Sequence, residues 1–144
     1  MNKFLLILLV VPLFAISCTK QSGPAAIING HRINIEIANT DEARAKGLGS
    51  RSSLGKNDGM LFVLSTPDRP SFWMKDMQFA LDVIWIKDET VIGLTADVQP
   101  EPGVKDELLR RYTPTSEVDA VLEVNAGWTE KNKIKIGDSV VLTQ

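Results

Sequence analysis

The sequence predicts a mainly β domain, a compact antiparallel β-sandwich or partly closed barrel with one short helix near residues 40–47. Three observations carry this. Several short runs alternate apolar and polar residues with a period of two, and Gly, Pro, Asn and Asp collect between those runs. No helix–strand rhythm runs through the chain, which sets aside a doubly wound parallel sheet. At 144 residues the length suits a single domain and is too short for two independent cores.

The first clear strand is residues 32–38, where Ile33, Ile35 and Ile37 alternate with Arg32, Asn34 and Glu36. Asn39 or Thr40 then caps the one short helix. Asp41 and Glu42 stand at its start, Arg44 and Lys46 near its end and Gly47 just past it, so the charges complement the helix dipole at both termini. Residues 49–59 are rich in Gly, Ser, Asn and Asp and read as a loop, without the glycine spacing of a phosphate cradle. Met60 to Leu64 is wholly apolar and short enough for a core strand, with Pro67 and Pro70 expected to close it.

Residues 72–75 and 81–87 are both strand-like. In the second run Leu81, Val83 and Trp85 share one face, and Asp82, Ile84 and Ile86 share the other. Asp88-Glu89 turns the chain into the β-rich run 90–98, although the turn lacks the glycine of the tightest hairpins. Residues 99–116 form a long loop with Pro100, Pro102, Gly103 and Pro114 around a segment, 105–111, that can make a helical turn. Residues 118–126 alternate again, with Val118, Ala120, Leu122 and Val124 opposite Asp119, Val121, Glu123 and Asn125. A turn or single helical turn at 127–133 leads to the last strand region, 134–136 and 139–143.

The N-terminus carries an address. Met1, Asn2 and Lys3 make a short basic start, and residues 4–14 form an apolar run broken only by Pro12. That run is the length of a signal-peptide core, because a membrane-spanning helix needs roughly 20 apolar residues. Ala15-Ile16-Ser17-Cys18 follows and resembles the lipobox of bacterial lipoproteins, in which the cysteine is acylated after cleavage. Residues 1–17 are therefore expected to be a signal peptide, Cys18 the lipid attachment point, 18–26 a short tether and 27–144 the domain. The membrane, reached through acylated Cys18, is the first expected partner. No acidic residue follows Cys18, which by the same resemblance favours the outer membrane in a host that has one.

Composition excludes more than it assigns. The formal charge is −2, with 16 Lys and Arg against 18 Asp and Glu, so there is no basic excess to drive nucleic-acid binding. One Cys and one His, His31, cannot supply a disulfide, a dithiol redox pair or a cysteine- and histidine-rich metal site. No cofactor or metal is expected. His31 lies near the start of the domain with no identifiable nucleophile beside it and reads as a surface residue.

Several motifs belong together: Arg44-Ala45-Lys46-Gly47-Leu48, Leu54, Gly59-Met60-Leu61-Phe62-Val63, Phe72-Trp73-Met74-Lys75, Leu81-Asp82-Val83-Ile84 and Val121-Leu122-Glu123-Val124-Asn125-Ala126-Gly127. In order and spacing they resemble the DUF192 family of bacterial and archaeal proteins, over roughly residues 27–143. The resemblance implies a compact, mainly antiparallel β fold with one small helix, frequent export, and no established activity. Departures fall at Asp76-Met77 and Phe79-Ala80, where the family more often has Asn-Thr and Ile-Pro, and at Gly49, where a Met is usual.

Inside these motifs the residues with polar chemistry are Arg44, Trp73, Lys75, Asp82 and Glu123. One aromatic plate, two cations and two carboxylates can bind a saccharide or another envelope component, with Trp73 stacking on it and the charges orienting it. The same residues can instead brace the fold, because every buried charge needs a partner. The expected function is a membrane-anchored extracytoplasmic binding or interaction module. The alternative is an envelope hydrolase using Asp82 and Glu123 as paired carboxylates. Trp85 and Trp128 are expected in the packing.

Overall fold

The structure is a computed structural model that describes residues 23–143. The expected signal peptide, Cys18 and most of the expected tether lie outside the described residues. Seven strands form one mixed sheet, curled into a half-barrel. In chain order they are β1 (Ala25–Ile28), β2 (His31–Ala38), β3 (Asp58–Asp68), β4 (Leu81–Lys87), β5 (Thr90–Val98), β6 (Val118–Asn125) and β7 (Val140–Thr143). In space they run β5-β4-β6-β3-β2-β1-β7. The edges β5 and β7 meet at one end: Thr90 pairs with Ser139, and Val140 N–H donates to the Glu89 carbonyl at 2.7 Å. These bonds draw the sheet toward closure and satisfy part of two exposed edges.

All neighbours pair antiparallel except β2 and β3, which are parallel. A parallel pair needs a crossover, and here it carries helix α1 (Asp41–Lys46). The helix forms where its caps predict. The Thr40 hydroxyl accepts the Ala43 N–H at 3.2 Å, and the Gly47 N–H returns to the Ala43 carbonyl at 2.9 Å. A second, four-residue helix α2 (Trp128–Lys131) follows β6, and a single 3₁₀ turn occupies Asp106–Leu108. Among the described residues no helix is long and apolar enough to cross a membrane.

The sheet has two apolar faces. The concave face gathers Ile28, Ile33, Ile35, Leu61, Ile84, Ile86, Leu122 and Val124, closed off by Trp128 and Ile134. The other gathers Met60, Phe62, Leu81, Val83, Trp85 and Val121 beneath α1 and the segment around Phe72 to Phe79. Strand parity in β4 is as the alternation predicts. In β6, Val118 falls on the face of Val121 rather than with Leu122, because the β3–β6 register shifts between Val63 and Asp68.

Four expectations need correction. Ala25 and Ala26, assigned to the tether, are fully buried strand residues held between β2 and β7. Residues 72–75 make one bridge, Phe72 with Tyr112, in place of a strand. Strand β3 continues through Pro67 to Asp68, beyond the point where its regular pairing with β6 stops at Val63, so the missing N–H interrupts no ladder there. The last strand is only β7, since 134–136 lie in turn and coil. The Asp88-Glu89 hairpin forms without glycine: both residues are left-handed, at φ 47° and 56°, and the Asp88 N–H is held by the Asp119 carboxylate at 2.7 Å.

Candidate functional site

The outer face is not covered completely. Between α1, the ends of β3 and the 70–77 segment an open cavity of about 390 Å³ remains. Arg44, Lys46, Phe62, Phe72, Trp73 and Glu123 are among its lining residues, with Lys75 and Asp76 at the same wall. Four of the five residues singled out from sequence, Arg44, Trp73, Lys75 and Glu123, are thus brought together. Asp82 is not among them.

Local structure explains each placement. The crossover from β2 to β3 lays α1 over the outer face and puts Arg44 at the cavity. Its guanidinium donates to the Val63 carbonyl at 3.0 Å and to Asp41 at 2.6 Å, so it also ties the helix to β3. The loop after α1 is fastened to the opposite wall by the Ser50 N–H, which donates to the Asp76 carbonyl at 2.8 Å. Both residues are left-handed, at φ 63° and 56°. At Gly49 an added Cβ would lie 3.1 Å from the Lys46 carbonyl oxygen and 3.3 Å from that of Lys75, so this junction is fitted around glycine.

The long loop 99–116 supports the other wall. Phe72 and Tyr112 exchange two backbone hydrogen bonds at 2.9 Å. Lys75 is ion-paired with Asp106, which holds the Lys75 ammonium above its ordinary pKa. Trp73 remains 40% exposed, and the Arg111 guanidinium lies 3.9 Å from its ring centroid. One cation therefore already occupies this aromatic plate. Phe72 meets Phe62 edge to face at 4.9 Å and Trp85 at 5.8 Å, which fixes the aromatic lining from beneath.

Glu123 is the unusual group. It sits on the central strand β6 with Met60 and Val83 as its cross-strand neighbours. It is only 7% exposed, and it makes no hydrogen bond or ion pair among the described residues. Burial without compensation pushes its carboxyl up to about 8, so the acid is protonated at neutral pH. Gly59 beside it allows the strands to approach: a Cβ there would stand 2.7 Å from the Glu123 carbonyl oxygen.

Asp82 belongs to the opposite face. One of its oxygens accepts the Thr129 N–H at 2.9 Å and the Thr129 hydroxyl at 2.6 Å, and the other accepts the Asp97 N–H at 2.9 Å. It anchors α2 and a left-handed residue of β5 and is fully buried. Its membership of the ligand cluster is therefore corrected. The carboxylate pair that hydrolysis required is not formed, since Asp82 and Glu123 project from opposite sides of the sheet. His31 is exposed and meets Trp128 edge to face at 6.3 Å, away from the cavity. Among the described residues no three His, Cys, Asp or Glu side chains are grouped to hold a metal ion.

Sequence reasoning missed Phe62, Phe72 and Asp76 as cavity residues. The first two were legible only as packing, and the position of Asp76 depends on a loop whose course is set by its bond to Ser50.

Comparison with known proteins agrees on the fold. A protein of unknown function from Novosphingobium aromaticivorans DSM 12444 is similar, with 31% identity and a TM-score of 0.74; the match covers 81% of this chain and 83% of that one. A Sinorhizobium meliloti 1021 protein described as a "putative transcription regulator" has a TM-score of 0.72 at 24% identity, covering 83% and 91% respectively. At that identity the likeness shows the fold alone. A search of curated proteins gave no match. The DUF192 family model, described as "Uncharacterized ACR", matches residues 25–142, and the chain belongs to that family.

Proposed function

We propose that the protein is a lipid-anchored extracytoplasmic binding module that holds a small envelope component in the cavity beside α1. The observation that carries this reading is a largely buried acid, Glu123, with no partner among the described residues and its carboxyl oxygens accessible from an open, mainly apolar cavity. A carboxyl that has no protein donor and is reached only from the cavity can take its partner from a ligand. The volume lies within the range of small-molecule sites. A mainly apolar surface with charged groups around it suits a ligand with an apolar body better than a fully hydroxylated saccharide. The basic start, apolar run and Cys18 support the address.

Two experiments test it. Native mass spectrometry of the full-length protein incubated with envelope extract should show a bound small molecule, weakened by Trp73→Ala, with the unfolding midpoint of that variant unchanged. Retention of the same mass adduct by a variant with the cavity filled from α1, Ala45→Trp, would reject this cavity as the site. Detergent-phase partitioning should retain the wild type and release Cys18→Ala. Partitioning of both alike would reject the anchor.

A further inference from the structure

We infer that the cavity selects ligands bearing one organic cation, an ammonium or guanidinium at the end of an apolar body, with Glu123 as its counter-ion. The inference rests on the binding reading and adds the class of ligand. A partnerless carboxyl can be completed by a neutral hydrogen-bonding group or by a cation. Two features of the cavity favour the cation. First, Phe62 and Phe72 line the same space as Glu123, and aromatic faces attract cations; Trp73 lies there too but already carries Arg111. Second, none of the basic groups on its lining is bonded to Glu123: Arg44 donates to Asp41 and the Val63 carbonyl, Lys75 pairs with Asp106, and Lys46 makes no bond to it. They leave Glu123 without a protein counter-ion and leave that place to the ligand.

The charged groups facing Glu123 across the cavity are Arg44 and Lys46 from α1 and Lys75 and Asp76 from the 70–77 segment. Its neighbours on β3 and β4, Met60 and Val83, do not titrate. Without ligand, burial keeps the carboxyl protonated at neutral pH. A cation entering the cavity then expels that proton to solvent as the ion pair forms. Affinity for a cation consequently rises with pH until the carboxyl is already ionised, whereas affinity for a neutral group that needs the protonated acid is flat and then falls.

Three probes with the same six-carbon body separate these cases: hexylammonium, 1-hexanol and hexanoate, titrated into ¹⁵N-labelled full-length protein and followed by NMR at pH 6, 7 and 8. Hexylammonium, which stays protonated throughout, should bind best, gaining about tenfold between pH 6 and 7 and levelling near 8. Glu123→Gln should weaken it about tenfold or more at pH 8 and remove its pH dependence, with hexanol changed less than about threefold. Hexanol or hexanoate binding as tightly as hexylammonium, or a flat pH profile for hexylammonium, would overturn the cation assignment while leaving the cavity as a binding site. No cavity resonance responding to any probe would defeat the binding reading itself and the assignment with it.

Discussion

Asp82 and Glu123 are two buried acids on adjacent strands, one residue apart in register, and they have opposite fates. Asp82 faces the concave core and is met by three donors from Thr129 and Asp97. Glu123 faces the outer core and is met by none among the described residues. The first carboxylate is used up in holding α2 and β5 in place. The second is bonded to none of the described residues and lies on the cavity wall, where a ligand can reach it. Burial alone therefore does not mark a functional acid. The absence of protein donors on a cavity wall is what singles Glu123 out as the acid to test.

Substitutions sharpen that contrast. Asp82→Ala orphans the Thr129 and Asp97 donors and should lower stability by on the order of 5 kcal/mol in urea unfolding. Glu123→Gln, which is neutral in both the folded and the unfolded chain, should match the wild type to within about 1 kcal/mol near pH 4–5 and be the more stable by about 3 kcal/mol at pH 7, because it folds without taking up a proton. Comparable losses from the two would break the comparison.

The pH dependence is the next largest effect. The carboxyl of Glu123 has its folded pKa raised from 4.5 to about 8. Between those values the folded state binds more protons than the unfolded one, so stability falls as pH rises, by on the order of 4 kcal/mol across the window. Glu36, bonded to Arg51, and Asp138, bonded to the Lys135 backbone, are lowered. Their contribution is present above their ordinary values and is lost as pH falls below them, on the acid side of the same window. Unfolding measured from pH 4 to 9 should give a maximum near pH 5, and Glu123→Gln should flatten the fall toward neutral pH. A wild type equally stable at pH 5 and pH 8 would contradict the assignment.

Gly59→Ala places a Cβ against the Glu123 carbonyl at 2.7 Å and should cost about 1–3 kcal/mol. The smallest effect is expected from Thr40→Ala, which removes the α1 cap bond, at about 1 kcal/mol. That loss should also loosen the wall of the cavity that α1 supplies, visible as faster amide exchange at Arg44 and Lys46.

Much of this fold is written locally. Thr40 and Gly47 bound α1, and the alternations in β4 and β6 give the strands and nearly all of their faces. What local pattern does not contain is pairing. Ala25 and Ala26 look like a tether because small residues show no period, and only their place between β2 and β7 makes them core. The parallel β2–β3 pair is likewise a long-range fact.

The site follows the same division. Arg44, Trp73, Lys75 and Glu123 were legible as polar or aromatic chemistry inside apolar motifs. That Asp82 does not join them follows from register, because Val83, not Asp82, stands opposite Glu123. Sequence alternation assigns residues to two faces of each strand, and it does not say which face of one strand continues which face of the next.

A ¹³C NMR titration of the Glu123 side-chain carboxyl, assigned by loss of its signal in Glu123→Gln, tests the account at its centre. A midpoint near 8 that drops on saturation with hexylammonium is the result expected from a partnerless acid awaiting a cation. A midpoint near the ordinary 4.5, unmoved by the probe, would mean that the carboxylate is already solvated or paired, and would contradict it.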